Sequence, residues 1–246
     1  MPTMTRVESD RAAAPTEQFV RFSFSQRTEH LLLIVSFTVL VLTGVPQKFF
    51  GSGWAQNLIM TMGGIETTRL VHRTFAVLFC LEGVYHASCI LAAVARGRFT
   101  AYIIPSLKDV RDAMACFKYC LAAASTLPRF DRFDYRQKFE YWWVVICWMI
   151  MSATGLVLMF PTQATQLLPG AFVPASKEMH GGEALLGFLL VVTWHLYGAH
   201  FNPLRFPGDL SIFTGKISRE RMMREHPLEH ARLVGHSSED EELPAH

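Results

Sequence analysis

Histidine is the side chain in this sequence best placed to do chemistry. His72 and His86 lie 14 residues apart in one apolar stretch, and His180 and His195 lie 15 apart in another. Fourteen residues of helix climb about 21 Å and complete almost whole turns, so each pair occupies nearly one face at two depths. If both stretches are helices running in the same direction, the four imidazoles meet as two facing couples, one above the other. Paired axial imidazoles hold a b-type haem, and two stacked haems carry electrons across a bilayer. Electron transfer through a membrane is the chemistry this spacing predicts.

The elements that must position these residues are membrane spans. Of the 246 residues, 50% are apolar and 18% charged. The apolar ones gather into four blocks, near 30–45, 70–94, 141–160 and 179–201. Crossing the hydrocarbon core takes about 20 residues, so the first block must borrow Pro46 or its polar approach. Lipid gives backbone groups no alternative partner, which makes each block a helix. The expected fold is all-α: an integral membrane four-helix bundle with both termini cytoplasmic. An N-terminal arm (1–28) precedes a four-span domain (29–203) whose inner loop covers 96–138, and a C-terminal tail (204–246) follows.

Orientation comes from the basic residues. The arm carries Arg6, Arg11, Arg21 and Arg27, the central loop nine basic residues from Arg96 to Lys138, and the tail six from Arg205 to Arg232. The other two connections hold little beyond Lys48, Arg69 and Lys177. The positive-inside rule then puts arm, central loop and tail in the cytoplasm. The first 28 residues lack an apolar core followed by a small-residue cleavage site, so the first span is expected to insert as its own anchor. In the central loop, Val110, Ala113, Met114, Phe117 and Leu121 fit an amphipathic helix lying on the membrane or packing on a partner subunit. The segment joining spans one and two reads as a short interfacial turn, and Ser237–Glu242 as an acidic, disordered stretch.

This topology sorts the histidines by depth. His72 and His180 fall near the outer surface, and His86 and His195 towards the inner side, where His30 joins them. The outer couple, His72 with His180, has no rival. The inner haem has three candidates for two places, and spacing alone favours His86 with His195. The step from His180 to His195 is about 60° on a straight helix, and Gly181, Gly182 and Gly187 allow local adjustment. His200 points about 140° away from His195. Gly44, Gly83, Gly155 and Gly187 interrupt the spans where a flat ring needs room, though small-residue helix packing explains them equally. Arg27, Arg69 and Arg73 are candidates for haem propionates, and Glu82 and Glu183 for accepting a ligand imidazole's free N–H. No Cys-x-x-Cys or Cys-x-x-Cys-His occurs among the five cysteines, so no covalent haem, zinc or iron–sulfur site is indicated.

Several segments then carry a family resemblance: Arg27-Thr28-Glu29-His30 with the run to Leu42-Thr43-Gly44, Arg69-Leu70-Val71-His72, and Asp134-Tyr135-Arg136-Gln137-Lys138. Met179-His180-Gly181, Trp194-His195, and Thr214-Gly215-Lys216-Ile217-Ser218 leading to His226-Pro227 complete the set. In this order the sequence resembles the cytochrome b, or gamma, subunits of membrane-bound formate dehydrogenases and related nickel–iron hydrogenases, from Arg27 to about Arg232. The resemblance implies a subunit with two b haems and electron passage between an outer-face redox partner and the quinone pool of a bacterial inner membrane. That partner would be an iron–sulfur protein, a multihaem cytochrome, a hydrogenase or a molybdoenzyme; no nucleic-acid partner is expected. Carried across, the family's iron ligands fall on His72 and His180 for the outer haem and on His30 and His195 for the inner. His86 has no counterpart in that pattern, which leaves three roles open for it: replacing His30, binding a third haem with His200, or supporting a ligand or the quinone site. Quinone would meet Gln137, His195, Gly198 or His200 near the inner haem. Rival readings are a haem-free membrane anchor and a stand-alone electron shuttle. The short outer loops offer no substrate-oxidising site, which favours a borrowed catalytic subunit.

Overall fold

The computed structural model describes residues 17–203 and 205–241. A short strand β1 (Gln18–Val20) leads into α1 (Phe24–Lys48), α2 (Gly53–Thr61) and α3 (Ile65–Ala95). A single 3-10 turn precedes α4 (Leu107–Cys120), and then come α5 (Tyr135–Met159), α6 (Pro161–Leu167) and α7 (Phe172–Leu190). The helical path of α7 continues in π form through Val191–His195 and Tyr197–Phe201. The tail folds as α8 (Ser211–Thr214), β2 (Lys216–Ser218), α9 (Arg219–Glu225) and α10 (Pro227–Glu241). Among the described residues four helices are long and apolar enough to cross a membrane: α1, α3, α5 and Phe172–Phe201. The four expected spans are therefore present, and α1 gains its missing length at both ends of the 30–45 block.

Local chemistry starts these helices where the sequence allows. Ser23 caps α1 in a reciprocal box with Gln26, and Asp134 caps α5 in the same way with Gln137. Each box satisfies donors that the first helical turn leaves open. Contacts between helix ends make the bundle antiparallel in sequence order: Glu29 at the start of α1 meets His86 near the end of α3, and Thr43 near the end of α1 meets His72 near the start of α3. The same crossing relates α5 to α7. Buried positions within the spans are small and mostly polar, namely Ser36, Thr43, Pro46, Thr68, Thr154, Ser176 and Gly187, while Leu31, Leu42, Leu81, Leu91 and Leu156 are exposed. This inverts the pattern of a water-soluble bundle and matches helices that pack through small residues and face lipid with large ones.

One end of the bundle is capped by arm, loop and tail together. β1 pairs antiparallel with β2, matching Phe19 with Ile217. Arg21, 2% exposed, binds Glu229, which also takes Arg132 at 2.6 Å. Arg132 returns a bond to the Arg21 carbonyl at 2.7 Å, and Arg232 binds Asp131 at 2.8 Å. Arm and tail thus interlock over the 130–134 stretch instead of extending separately, and both lie at one end of the bundle. Residues 1–16 and 242–246 of the expected arm and tail fall outside the described residues, and α10 continues to Glu241 through the stretch expected to be irregular. The connection between α1 and α3 is also more ordered than a turn, because α2 seats Ala55 and Ile59 in buried positions. On α4, Leu107, Val110, Met114 and Phe117 form an exposed stripe, while Asp109 on another face holds Lys138 at 2.9 Å.

Candidate functional site

Two pairs of imidazoles face each other across the bundle at different depths. At the end away from the cap, the rings of His72 on α3 and His180 on α7 have centroids 6.4 Å apart and planes inclined by 72°. At the capped end, His30 on α1 and His195 on the π continuation of α7 have centroids 6.1 Å apart, inclined by 43°. An imidazole nitrogen bonds a transition metal at about 2.0–2.1 Å, and its ring centroid lies about 1.1 Å behind it, so two imidazoles on opposite sides of one metal have centroids about 6.3 Å apart. Both separations fit that distance.

The surroundings of the uncapped pair define its protonation. Thr43 Oγ1 donates to the Val39 carbonyl at 2.7 Å and lies 2.8 Å from His72 Nδ1. Thr154 repeats this, 2.6 Å from the Ile150 carbonyl and 2.9 Å from His180 Nδ1. A hydroxyl has one proton to give. Since a carbonyl can only accept, each threonine spends its proton on its own helix and accepts from the imidazole. Nδ1 is therefore the protonated nitrogen of both rings, which leaves each Nε2 lone pair available to a metal. Next to each threonine a glycine admits the ring: a Cβ at Gly44 would sit 3.0 Å from His72 Cε1, and one at Gly155 3.3 Å from His180 Cε1.

The capped pair is supported differently. His195 Nδ1 lies 3.2 Å from Glu140 on α5. A π turn closes a longer hydrogen-bonded ring than an α turn and winds less per residue. Over Val191–His195 this changes the step of about 60° that a straight helix gives from His180 to His195. Of the two alternatives for its partner, the structure brings His30 against His195. His86 is engaged elsewhere, with Nδ1 2.8 Å from Glu29 and Nε2 2.9 Å from Tyr141.

Several expected supports stand apart from the ligand rings. Glu82 receives a bond from Ser36 at 3.3 Å, and Glu183 interacts with Cys147. Arg27 bonds the Phe213 carbonyl and Arg69 bonds Glu66. Among the quinone candidates, Gln137 spends its side-chain oxygen on the Asp134 backbone at 3.1 Å, and the Gly198 carbonyl accepts from Arg205 at 3.1 Å. The His200 ring lies against Gly208, where a Cβ would come within 2.6 Å of its Nδ1. The groups that do hold ligand-type imidazoles, Thr43, Thr154 and Glu140, escape spacing arguments. Their sequence signal is that each threonine directly precedes a glycine that interrupts a span.

Each pair offers only two donors, and among the described residues no group of three or more His, Cys, Asp or Glu is placed to hold a metal ion. Two imidazoles on opposite sides of one metal suit a planar macrocycle that brings its own equatorial nitrogens, which is haem. The residues present fit that group.

Comparison with known proteins agrees with this chemistry. The family described as prokaryotic cytochrome b561 matches residues 21–215. The cytochrome b556 subunit of the nitrate-inducible formate dehydrogenase of Escherichia coli K12 is 22% identical over 214 residues, covering 86% of this chain and 90% of that protein. The protein of the same description in Shigella flexneri gives the same identity and coverage.

Proposed function

The chain belongs to the prokaryotic cytochrome b561 family, and on that premise we propose that it carries two b haems and passes electrons between an outer-face redox subunit and quinone. His72 and His180 hold the haem at the uncapped end, and His30 and His195 hold the one at the capped end. The observation that carries this reading is the pair of ring separations, 6.4 and 6.1 Å, together with the free Nε2 that the threonines impose on His72 and His180. Bound haem supplies reversible one-electron chemistry; the chain sets its depth, ligand strength and contact with water.

The capped end faces the cytoplasm of a bacterium and the uncapped end faces outwards. The basic residues of the arm, the 96–138 loop and the tail support this placement, since the structure gathers those segments at one end. Electrons enter at the His72–His180 end from a catalytic or iron–sulfur subunit; the description of the relatives as subunits of a formate dehydrogenase supports a partner of that kind. Quinone exchanges at the capped end, near His195 and the aromatic contact of Phe139 with Trp194 at 5.8 Å. His86, with both nitrogens engaged, is a structural or proton-exchanging group in this reading and holds no iron.

Haem content tests the proposal. The purified full chain is expected to contain two b haems by pyridine haemochrome, and His72→Ala or His180→Ala one. Two haems retained in both variants would overturn the assignment. A fluorescent reporter fused to the C-terminus is expected to fluoresce in the cytoplasm, and a periplasmic reporter fused there to stay inactive; the reverse pattern would invert the orientation.

A further inference from the structure

We propose that Thr43 and Thr154 are positioning residues that set the electron affinity of the haem at the uncapped end, by accepting the Nδ1–H of its two axial imidazoles. The proposal rests on His72 and His180 being that haem's ligands. Each hydroxyl proton is committed to the carbonyl four residues back, at 2.7 Å for Val39 and 2.6 Å for Ile150. The oxygen is thereby fixed as an acceptor and cannot turn to donate. The His72 and His180 rings are held at 2.8 and 2.9 Å by the same group in the same role, one from α1 and one from α5. Both sides of one iron are therefore tuned in the same sense.

The direction follows from acid–base chemistry. An imidazole that gives its N–H to an acceptor becomes the more basic ligand at its other nitrogen. A more basic ligand favours the ferric state, so the two threonines hold the potential down. At the capped pair His195 is held by Glu140, at 3.2 Å. Changes at Thr43 and Thr154 are therefore expected to move one haem of the two.

The test uses the purified full chain with Thr43→Val, Thr154→Val, Thr43→Ser and Thr154→Ser, and reads the midpoint potentials of both haems spectroelectrochemically. The His30→Ala chain, expected to keep only the uncapped-end haem, identifies which potential belongs to which site. Valine keeps the shape and removes the acceptor. The change leaves both Nε2 lone pairs untouched, so the valine variants are expected to keep two haems. The uncapped-end haem is expected to become easier to reduce, its ferrous-to-ferric ratio at fixed potential rising several-fold to about tenfold, where tenfold corresponds to about 59 mV for one electron. The serine variants should return to the wild-type value, and the other haem should not move. An unchanged potential in both valine variants, an equal shift in the serine variants, or loss of haem from valine and serine variants alike would overturn the proposal. Two haems in His72→Ala and His180→Ala would instead remove the ligand assignment on which it rests.

Discussion

Gly83 on α3 is where a single added methyl should cost most. A Cβ there would lie 2.1 Å from Trp148 Cε2, 2.2 Å from Nε1 and 2.5 Å from Cζ2. Carbon atoms in contact sit about 3.5–4.0 Å apart, so the indole must retreat by well over an ångström. It is also tethered, because Trp148 Nε1 donates to the Phe79 carbonyl at 3.0 Å. Overpacking of this kind costs about 1–3 kcal/mol, and loss of the tether about 0.5–1.5 kcal/mol. Helix propensity returns up to about 1 kcal/mol for Gly→Ala. The net expectation for Gly83→Ala is a destabilisation of about 2 kcal/mol. The assay is thermal unfolding in detergent against Gly182→Ala, where nothing lies within 4 Å of the added methyl and no loss is expected. A double-mutant cycle with Trp148→Ala assigns the cause, since the cost of the methyl should largely vanish once the indole is gone. If Gly83→Ala matched Gly182→Ala, the close packing of α3 on α5 would be refuted.

Other outcomes follow from the same geometry. His30→Ala is expected to reduce the haem count from two to one while His86→Ala leaves it at two; loss of a haem from His86→Ala alone would transfer the ligand role to that residue. Valine at Gly44 or Gly155 pushes on His72 or His180 and should lower occupancy of the uncapped-end haem, with the other retained, as read from haemochrome content and reduced spectra. The cap should weaken in acid. Burial by itself raises the Asp209 carboxyl, but hydrogen bonds from Arg221 and Ser211 outweigh it and hold it well below the usual carboxylate range. The same balance lowers Glu225 through Arg221 and Arg205, and Asp131 through Arg232. Groups depressed on folding contribute stability above the unfolded carboxylate pKa of about 4 and lose it as pH falls through that range towards their folded values. Amide protection in β2 and α9, corrected for intrinsic exchange, should therefore fall below about pH 4; protection unchanged between pH 6 and about pH 3 would refute this.

Much of the bundle is legible in the sequence because bilayer thickness and hydropathy constrain span length so strongly. The cap is not, because it is built from pairs such as Arg21 with Glu229, 208 residues apart, and periodicity reports only neighbours. Thr43 and Thr154 are equally silent: they are uncharged, and a threonine in a span usually does no more than bond its own helix. Their role emerges only when a second helix brings an imidazole to the same oxygen. The π turn at Val191–His195 adds a further obstacle, since an argument from straight-helix angles misjudges where His195 points.

The choice of His86 by spacing has a different origin, and the structure accounts for it. Helices α1 and α5 are each 25 residues long, and they correspond at a constant offset of 111. The Ser23–Gln26 box matches Asp134–Gln137, Glu29 matches Glu140, His30 matches Tyr141, and Thr43-Gly44 matches Thr154-Gly155. Their partner helices match as well, His72 with His180 and His86 with His195, the second interval longer by the one residue that a π turn accommodates. The bundle therefore reads as two copies of one helical hairpin, α1 with α3 and α5 with α7. Similar spacing of histidines on α3 and α7 marks equivalence between copies and does not by itself make partners of equivalent residues. The equivalent pair His72 and His180 do meet. At the capped end each meets a neighbour from the other hairpin: His195 meets His30, and His86 meets Tyr141 at 2.9 Å. Glu29 binds His86 as Glu140 binds His195, so the two capped-end sites differ chiefly in one residue. His30 sets a second imidazole against His195, as the proposed iron-binding pair requires, and Tyr141 closes the equivalent site with a hydrogen bond to His86. The difference between the two capped-end sites thus reduces to His30 against Tyr141, the same distinction that the contrasting haem counts of His30→Ala and His86→Ala would register.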